Sequence, residues 1–383
     1  MQIIVEGWRF IPQSYAIVNQ FQLLEMLKRP ELEIFYEEAP YIDEHWHAIA
    51  GLLDETAEAA LREIPSPPPS LVADVTLRIY FPFNFSKSTS LSTYTFCTAE
   101  WGIVDEYKLQ RMGVSNFQEV WKRTESDIIT TSEWSKAGFI RSGADSDRIF
   151  VVPCGTDTNI YKPISQEERQ ALRQELGWNS FIFLNVGSAG THKGTDCLLK
   201  AFSVILERYP DARLILKGEE FIYGSESKIL ESMNDMTLAE IDRVLSQISY
   251  IGDTLSFAQL ARYYQAADVY VSPYYAEGFN LPALEAIACG LPIICTKGGP
   301  TDTFTLPEFA WQIESVFQEG RSTNGYPMFR LVPDLEHLIH LMQTAIENPD
   351  FLAKAHHFSP TFVSQNFTWK HAVDRLLKII VPS

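Results

Sequence analysis

Basic residues are in short supply. The 383-residue chain sets 31 Lys and Arg against 49 Asp and Glu, a formal net charge of -18. Nucleic acid binding needs basic surface to neutralise phosphates, so no nucleic-acid partner is expected. Strong docking on anionic lipid is disfavoured for the same reason. No uninterrupted apolar run reaches the length of a membrane span, and the opening MQIIVEGW lacks a basic leader segment, so no stable membrane insertion is expected. The five cysteines (97, 154, 197, 289 and 295) form no CxxC and leave one without a mate. That is the usage of a reducing compartment, and a cytoplasmic location is expected. GxSxG, GxxxxGK[ST] and GxGxxG are all missing, which leaves hydrolase, P-loop and dinucleotide readings without support. His45 and His47 flank Trp46 without a third ligand, and Asp145-Ser146-Asp147 reads as a surface turn, so no metal is expected.

What is present is an alternation. Short β-branched, apolar runs follow one another with helical segments between them, the pattern of parallel sheets wound with helices. In the first half the runs are QIIVEG, LEIFYE, VTLRIYF, TYTFC, DIITT and RIFVV, and Ile17, Phe21, Leu24 and Leu27 form a helical stripe behind Ser14, a plausible N-cap. The proline-rich stretch from Pro65 to Ser70 is an extended loop, because strand patterning resumes directly after it. Proline and glycine break both periods over residues 153–163, and the alternation then restarts with FIFLNVG, ARLILKG, YIG, DVYVSP and LPIICT. A chain of this length exceeds one ordinary core. The expectation is an α/β protein of two doubly wound, Rossmann-like domains facing across a cleft. Residues 1–155 form the first and 156–360 the second, with 361–383 a helix crossing back to the first.

The segment SPYYAEGFNLPALEAIACGLPII, residues 272–294, reads as buried core, yet it holds Glu277 and Glu285 with seven residues between them and no Lys or Arg. Pro282 suits the first turn of a helix and Gly290 its stop, and the helix between is apolar all round. Glu285 therefore sits away from bulk water, where an unpaired carboxylate costs several kcal/mol. A distant cation or a ligand must supply its donors, and sugar hydroxyls are suitable. Glu277 lies in the loop before the helix, where backbone N–H groups and the helix dipole suit a polar or anionic ligand. The bland alternative is a solvated Glu277 and a Glu285 paired with a base elsewhere.

EGFNLPALEAIACGLPII resembles the E-x7-E signature of retaining, nucleotide-sugar-dependent glycosyltransferases of the GT-B fold, the large family 4 (glycosyl transferases group 1). NVGSAGTHKGTDCLLKAF is similar to that family's glycine- and lysine-bearing stretch opening the second domain. SEWSKAGFIRSGADSDRIFVVPCGTDTNIYKP resembles its hinge-crossing segment, YIGDTLSFAQLARYYQAADVYVSP its approach to the glutamates, and FTWKHAVDRLLKII its crossing-back helix. The resemblance covers residues 125–380, and the first 120 residues match only generically.

The resemblance implies a hexosyltransferase that uses a nucleoside diphosphate sugar, UDP- or GDP-linked, without a metal cofactor, acting on a hydroxyl acceptor (sugar, lipid or protein). It puts Glu277 at the transferred hexose, Phe279, Asn280 and Leu281 as backbone donors, Glu285 at the ribose, and Lys193 in the glycine-bearing loop with Gly187 at the leaving diphosphate. Glu277 and Lys193 are the catalytic candidates. Ser188 stands where the family commonly has arginine, which removes one expected phosphate cation. The resemblance brings the loop after the first strand to the donor diphosphate, which makes Gly7 a donor-binding candidate and Arg9 a candidate substitute cation, with Lys217 and His192 weaker ones. Trp8 reads either as a stacking surface for a sugar acceptor or as a rim residue. Two alternatives are a phosphorylase or synthase of the same fold and a nucleotide-sugar-binding protein without transfer activity.

Overall fold

The computed structural model describes residues 1–322 and 324–381. Its contacts divide the chain into two units, residues 1–155, 319–329 and 367–383 in the first, and 156–318 with 330–366 in the second.

In the first unit the chain runs through β1 (Gln2–Gly7), α1 (Ser14–Met26), β2 (Glu33–Glu38), α2 (Glu55–Arg62), β3 (Val75–Ile79), β4 (Ser92–Phe96), α3 (Glu106–Arg111), α4 (Phe117–Trp121), β5 (Asp127–Thr130), α5 (Glu133–Arg141) and β6 (Ile149–Val151). The strands make one parallel sheet in the order β2-β1-β3-β4-β5-β6. Its six strands are the six β-branched runs of the sequence. Gln13, and not Ser14, caps α1, its side chain accepting from the Tyr15 N–H at 2.6 Å.

The second unit holds α6 (Gln166–Glu175), β7 (Ile182–Val186), α7 (Thr195–Arg208), β8 (Arg213–Lys217), α8 (Glu220–Tyr223), α9 (Ser225–Glu231), α10 (Leu238–Leu245), β9 (Ile248–Ile251), α11 (Phe257–Ala266), β10 (Val269–Ser272), α12 (Leu281–Ala288), β11 (Ile293–Thr296), β12 (Ala310–Ile313), the hairpin strands β13 (Ser315–Arg321) and β14 (Pro327–Pro333), α13 (Leu335–Glu347) and α14 (Pro349–Asn366). Its parallel sheet runs β12-β11-β10-β7-β8-β9. One side of this sheet packs on Leu198, Phe202 and Ile205 of α7 and on Leu338 and Met342 of α13. The order reverses between β7 and β10. Open parallel sheets take their ligands beyond the carboxyl ends of the strands at such a point.

The last helix, α15 (Trp369–Ile380), belongs to the first unit. It packs on α1, with Trp369 stacked on Phe21 at 5.5 Å and Arg29 paired with Asp374 at 2.7 Å. Thr368 and His371 form its capping box. A Cβ on Gly155 would meet the Thr368 backbone at 2.3 Å, so only glycine fits where this helix begins. The return starts at Phe367 and not at 361. Residues 319–329 also join the first unit, which no sequence pattern announces.

Candidate functional site

Two loops leave the switch point of the second sheet, residues 187–194 after β7 and 273–280 after β10. Backbone bonds stitch them together. The N–H groups of Tyr275 and Ala276 both donate to the His192 carbonyl, at 2.8 and 3.1 Å. Gly194 is left-handed (φ 69°), and a Cβ there would lie 1.9 Å from the Pro273 carbonyl oxygen. The glycine after Lys193 is therefore required twice, by its dihedral and by the close approach of the other loop.

This stitching brings the two catalytic candidates together. Lys193 Nζ donates to Glu277 Oε1 at 2.5 Å, although 84 positions separate them. Glu277 is 5 % exposed. Its other oxygen accepts from the Gly278 N–H at 3.2 Å. The cation missing from residues 272–295 is thus supplied by the first loop. Beneath the pair, Tyr270 donates to the Val186 carbonyl at 3.2 Å. Its phenol is held well above its ordinary pKa, by burial first and then by the charge of Glu277.

Asn280 has φ 76°, a left-handed conformation that only small polar residues tolerate outside glycine. It is stabilised there because its Oδ1 caps the Ala283 N–H at 3.3 Å while its Nδ2 donates to Ser272 Oγ at 3.0 Å. Pro282 follows in the first turn, and Gly290 (φ 82°) closes the helix. Among the described residues, no acceptor engages the backbone N–H groups of Phe279, Asn280 and Leu281. These donors sit at the positive end of α12.

Glu285 lies on α12 with 6 % exposure. Its partner is neither a cation nor left to a ligand. Tyr264 of α11 donates to Oε2 at 2.8 Å, and the Tyr161 ring packs edge-on against Tyr264 at 5.9 Å. Burial pushes the Glu285 carboxyl up to about 7, against the lowering effect of the tyrosine hydroxyls. Both phenols are in turn raised well above their ordinary range, chiefly by burial and next by Glu285. Among the described residues no basic side chain pairs with Glu285, against the alternative of a distant base. Tyr264 shares a helix face with Phe257 and Ala261, all three buried. That face is legible as core, but nothing local marks its tyrosine as a carboxylate donor.

Other cations are committed elsewhere. Lys217 at the end of β8 is buried, donates to the Gly218 carbonyl and lies 3.8 Å from Glu219. Burial lowers the pKa of Lys217 and raises that of Glu219, which also accepts from Thr254 Oγ1 at 2.6 Å. In the glycine-bearing loop, Gly187 donates its N–H to the Lys217 carbonyl at 2.9 Å, and Ser188 follows it half-buried.

In the first unit, Gly7 ends β1 where a Cβ would meet Asn19 Nδ2 at 2.5 Å and the Ile79 carbonyl at 2.8 Å, so packing against α1 accounts for it. Arg9 pairs with Glu38 at 2.8 Å, donates to the Leu61 carbonyl and stacks over Tyr36 at 3.8 Å. A phosphate role for Arg9 would require breaking those contacts. Trp8 corrects the expectation of a rim or stacking residue. It is fully buried, with Nε1 bonded to the Pro40 carbonyl at 3.0 Å and its ring edge-on to Tyr15 and Trp46. Among the described residues there is no group of three metal-ligating side chains and no helix long and apolar enough to cross a membrane.

Residues 168–306, which contain Lys193, Glu277 and Glu285, match the family described as glycosyl transferases group 1. Mannosylfructose-phosphate synthase of Agrobacterium fabrum is 35% identical over 160 residues, 41% of this chain and 34% of that protein. D-inositol 3-phosphate glycosyltransferase of Segniliparus rotundus is 33% identical over 179 residues, 46% of this chain and 38% of that one. These matches thus span little more than a third of either relative. HepE of Anabaena, solved with UDP and glucose, superposes over 99% of each chain with a TM-score of 0.69 at 16% identity. The match to that family is thus confined to residues 168–306, while the fold of the whole chain is GT-B.

Proposed function

We propose that the chain transfers a hexose, with retention, from a nucleoside diphosphate sugar to a hydroxyl acceptor. The observation that carries this is the Lys193–Glu277 pair at the switch point of the second sheet, beside the N-terminus of α12. A lysine ammonium has three donors. It can hold Glu277 with one and turn another toward a phosphate. As the bond from C1 to the diphosphate oxygen breaks, negative charge grows on the leaving group, and Lys193 with the N–H groups of Phe279, Asn280 and Leu281 stabilises it. Glu277 accepts from hydroxyls of the transferred hexose. Glu285 accepts from the ribose hydroxyls while Tyr264 keeps its other lone pairs satisfied. The acceptor oxygen bonds to C1 on the face the diphosphate leaves, and its proton passes to a phosphate oxygen. No side chain is nominated as a nucleophile.

The Segniliparus relative is a D-inositol 3-phosphate glycosyltransferase, and HepE has been solved with UDP-glucose, which makes UDP-glucose the first donor to test. The experiment is thermal stabilisation by UDP, GDP and ADP, then by their hexose conjugates. A ligand at a hundred times its dissociation constant adds about 2.7 kcal/mol to folding. One nucleotide standing out, with the shift lost in Glu285→Ala and label moving from its conjugate to an acceptor, supports transfer. Tight binding without turnover across a broad acceptor panel would favour a binding protein, the outcome that Ser188 in the arginine place would explain. No stabilisation by any nucleotide refutes the donor site.

A further inference from the structure

Three tyrosines stand in a row behind the two glutamates, all in the second unit and none more than 2 % exposed. Tyr270 lies on β10 between Val269 and Val271, which pack with α7 and α13, so its ring faces the other side of the sheet. There it meets Tyr264 of α11 at 6.2 Å between ring centres, and Tyr264 meets Tyr161 at 5.9 Å. Aromatic pairs favour such tilted and edge-on contacts. Two of the hydroxyls have different acceptors. Tyr270 donates to the Val186 carbonyl at 3.2 Å, whereas Tyr264 donates to Glu285 Oε2 at 2.8 Å.

A hydroxyl that donates to a carboxylate stabilises its ionised form, and losing that bond favours the protonated acid by about tenfold. The other titratable groups packed around Glu285 keep their charge state near neutral pH. Cys289, one turn further along α12, is raised well above its ordinary range by burial and then by Glu285. Cys295 of β11 is pushed up to about 12 by burial. The phenols of Tyr161, Tyr264 and Tyr270 are raised chiefly by burial. His356 of α14, whose ring lies against Gly290, is lowered by burial. Above pH 6.5, Glu285 is therefore the member of this cluster that changes charge. Glu277, near the other end of the row, is held by Lys193.

We propose that Tyr264 is a positioning residue of the donor site, holding one oxygen of Glu285 so that the carboxylate form is available to a nucleotide at neutral pH. It touches no substrate and acts through Glu285. Tyr161 and Tyr270 keep its ring in place from either side. The proposal deepens the transfer reading above and rests on it for the nucleotide, but the hold on the carboxyl is a property of the free chain.

The test is the affinity of the full chain for UDP from pH 6.5 to 9, or for GDP or ADP if one of those is the nucleotide that stabilises it. It is read as the ratio of dissociation constants between Tyr264→Phe and the parent, in which the titration of the nucleotide itself cancels. The variant should bind about tenfold more weakly at pH 6.5 and come within about twofold of the parent at pH 9. Tyr270→Phe, which removes a buried hydroxyl from the neighbouring ring, should show no such slope. A ratio that is the same at every pH makes Tyr264 a packing residue and overturns the proposal, and so does an equal slope in Tyr270→Phe. A second readout needs no ligand. The gain in Tm from Glu285→Gln should rise between pH 5 and 9 by about 3 °C more in the Tyr264→Phe background than in the parent. An equal rise in both backgrounds overturns the hold on Glu285. If no nucleotide binds the parent, the donor-site reading fails, and this thermal cycle alone decides whether Tyr264 holds the carboxyl.

Discussion

Replacing Glu285 by glutamine tests the electrostatics of the site without any substrate. Burial raises this carboxyl from its ordinary 4.5 to about 7 in the folded chain. A gap of that size corresponds to roughly 3 kcal/mol between the two protonation states. The sign follows from proton binding. Between pH 4.5 and 7 the folded state holds a proton that the unfolded state has released, so stability falls as pH rises across that window. The contribution is complete below pH 4.5 and gone above about 7. Glutamine imitates the protonated acid and still accepts from the Tyr264 hydroxyl. The variant should match the parent near pH 5 and exceed it at pH 8, by at most roughly 3 kcal/mol. For a unit of this size that is an upper bound of roughly 5–10 °C in Tm. The assay is the Tm difference between variant and parent from pH 5 to 8, in which other titrating groups cancel because both proteins share them. A difference that stays constant with pH, or a variant less stable at pH 8, would refute the reasoning. UDP supplies the complementary readout. If ribose hydroxyls donate to Glu285, binding by the parent should tighten from pH 6 to 8 and binding by the variant should not.

The remaining predictions concern single positions. Lys193→Ala should lose roughly 2–4 kcal/mol of transition-state stabilisation, roughly 30- to 1000-fold in turnover at saturating donor, and near-parental turnover would remove Lys193 from the mechanism. Gly194→Ala forces a Cβ against the Pro273 carbonyl at a left-handed dihedral, so it should cost about 3 kcal/mol or more and separate the two loops, checked by Tm and by exchange at Tyr275. Trp8→Ala should destabilise the first unit by about 3–5 kcal/mol while leaving UDP binding unchanged, since Trp8 is core and not a ligand surface.

The two sheets were legible because their strands are short β-branched runs between helical periods, and parallel strands buried on both faces leave that signature. The α12 segment was legible for a different reason. Pro282 and Gly290 punctuate it, and its apolar periphery leaves it only a buried position. What stayed hidden is what depends on contacts distant in sequence. Trp8 looked like a loop residue beside a charged neighbour, but Tyr15 of α1 and Tyr41 and Trp46 of the loop after β2 enclose it. Arg9 looked like a free cation, and Glu38 and the Leu61 carbonyl claim it. The β13–β14 hairpin carries an alternating pattern too weak and too exposed to announce it.

The same limit explains the two glutamates, which look alike in sequence and are treated differently by the fold. Both stand in a segment without a base, and local sequence cannot say which donors reach them. Glu277 lies in a loop at the sheet edge, where a second loop passes close enough for a lysine to arrive, and Gly194 permits that approach. Glu285 lies a helical turn inside, where among the described residues its neighbours are the phenols of Tyr264 on α11 and Tyr161. A cation neutralises the first carboxylate, and a neutral hydroxyl leaves the second poised near neutrality. The first arrangement lets an ammonium be shared with an incoming phosphate. The second leaves a carboxyl whose ionised form gains most from extra hydroxyl donors. Spacing along one helix start thus separates two acids of the same kind into two different receptors, and burial depth, not residue type, makes the difference.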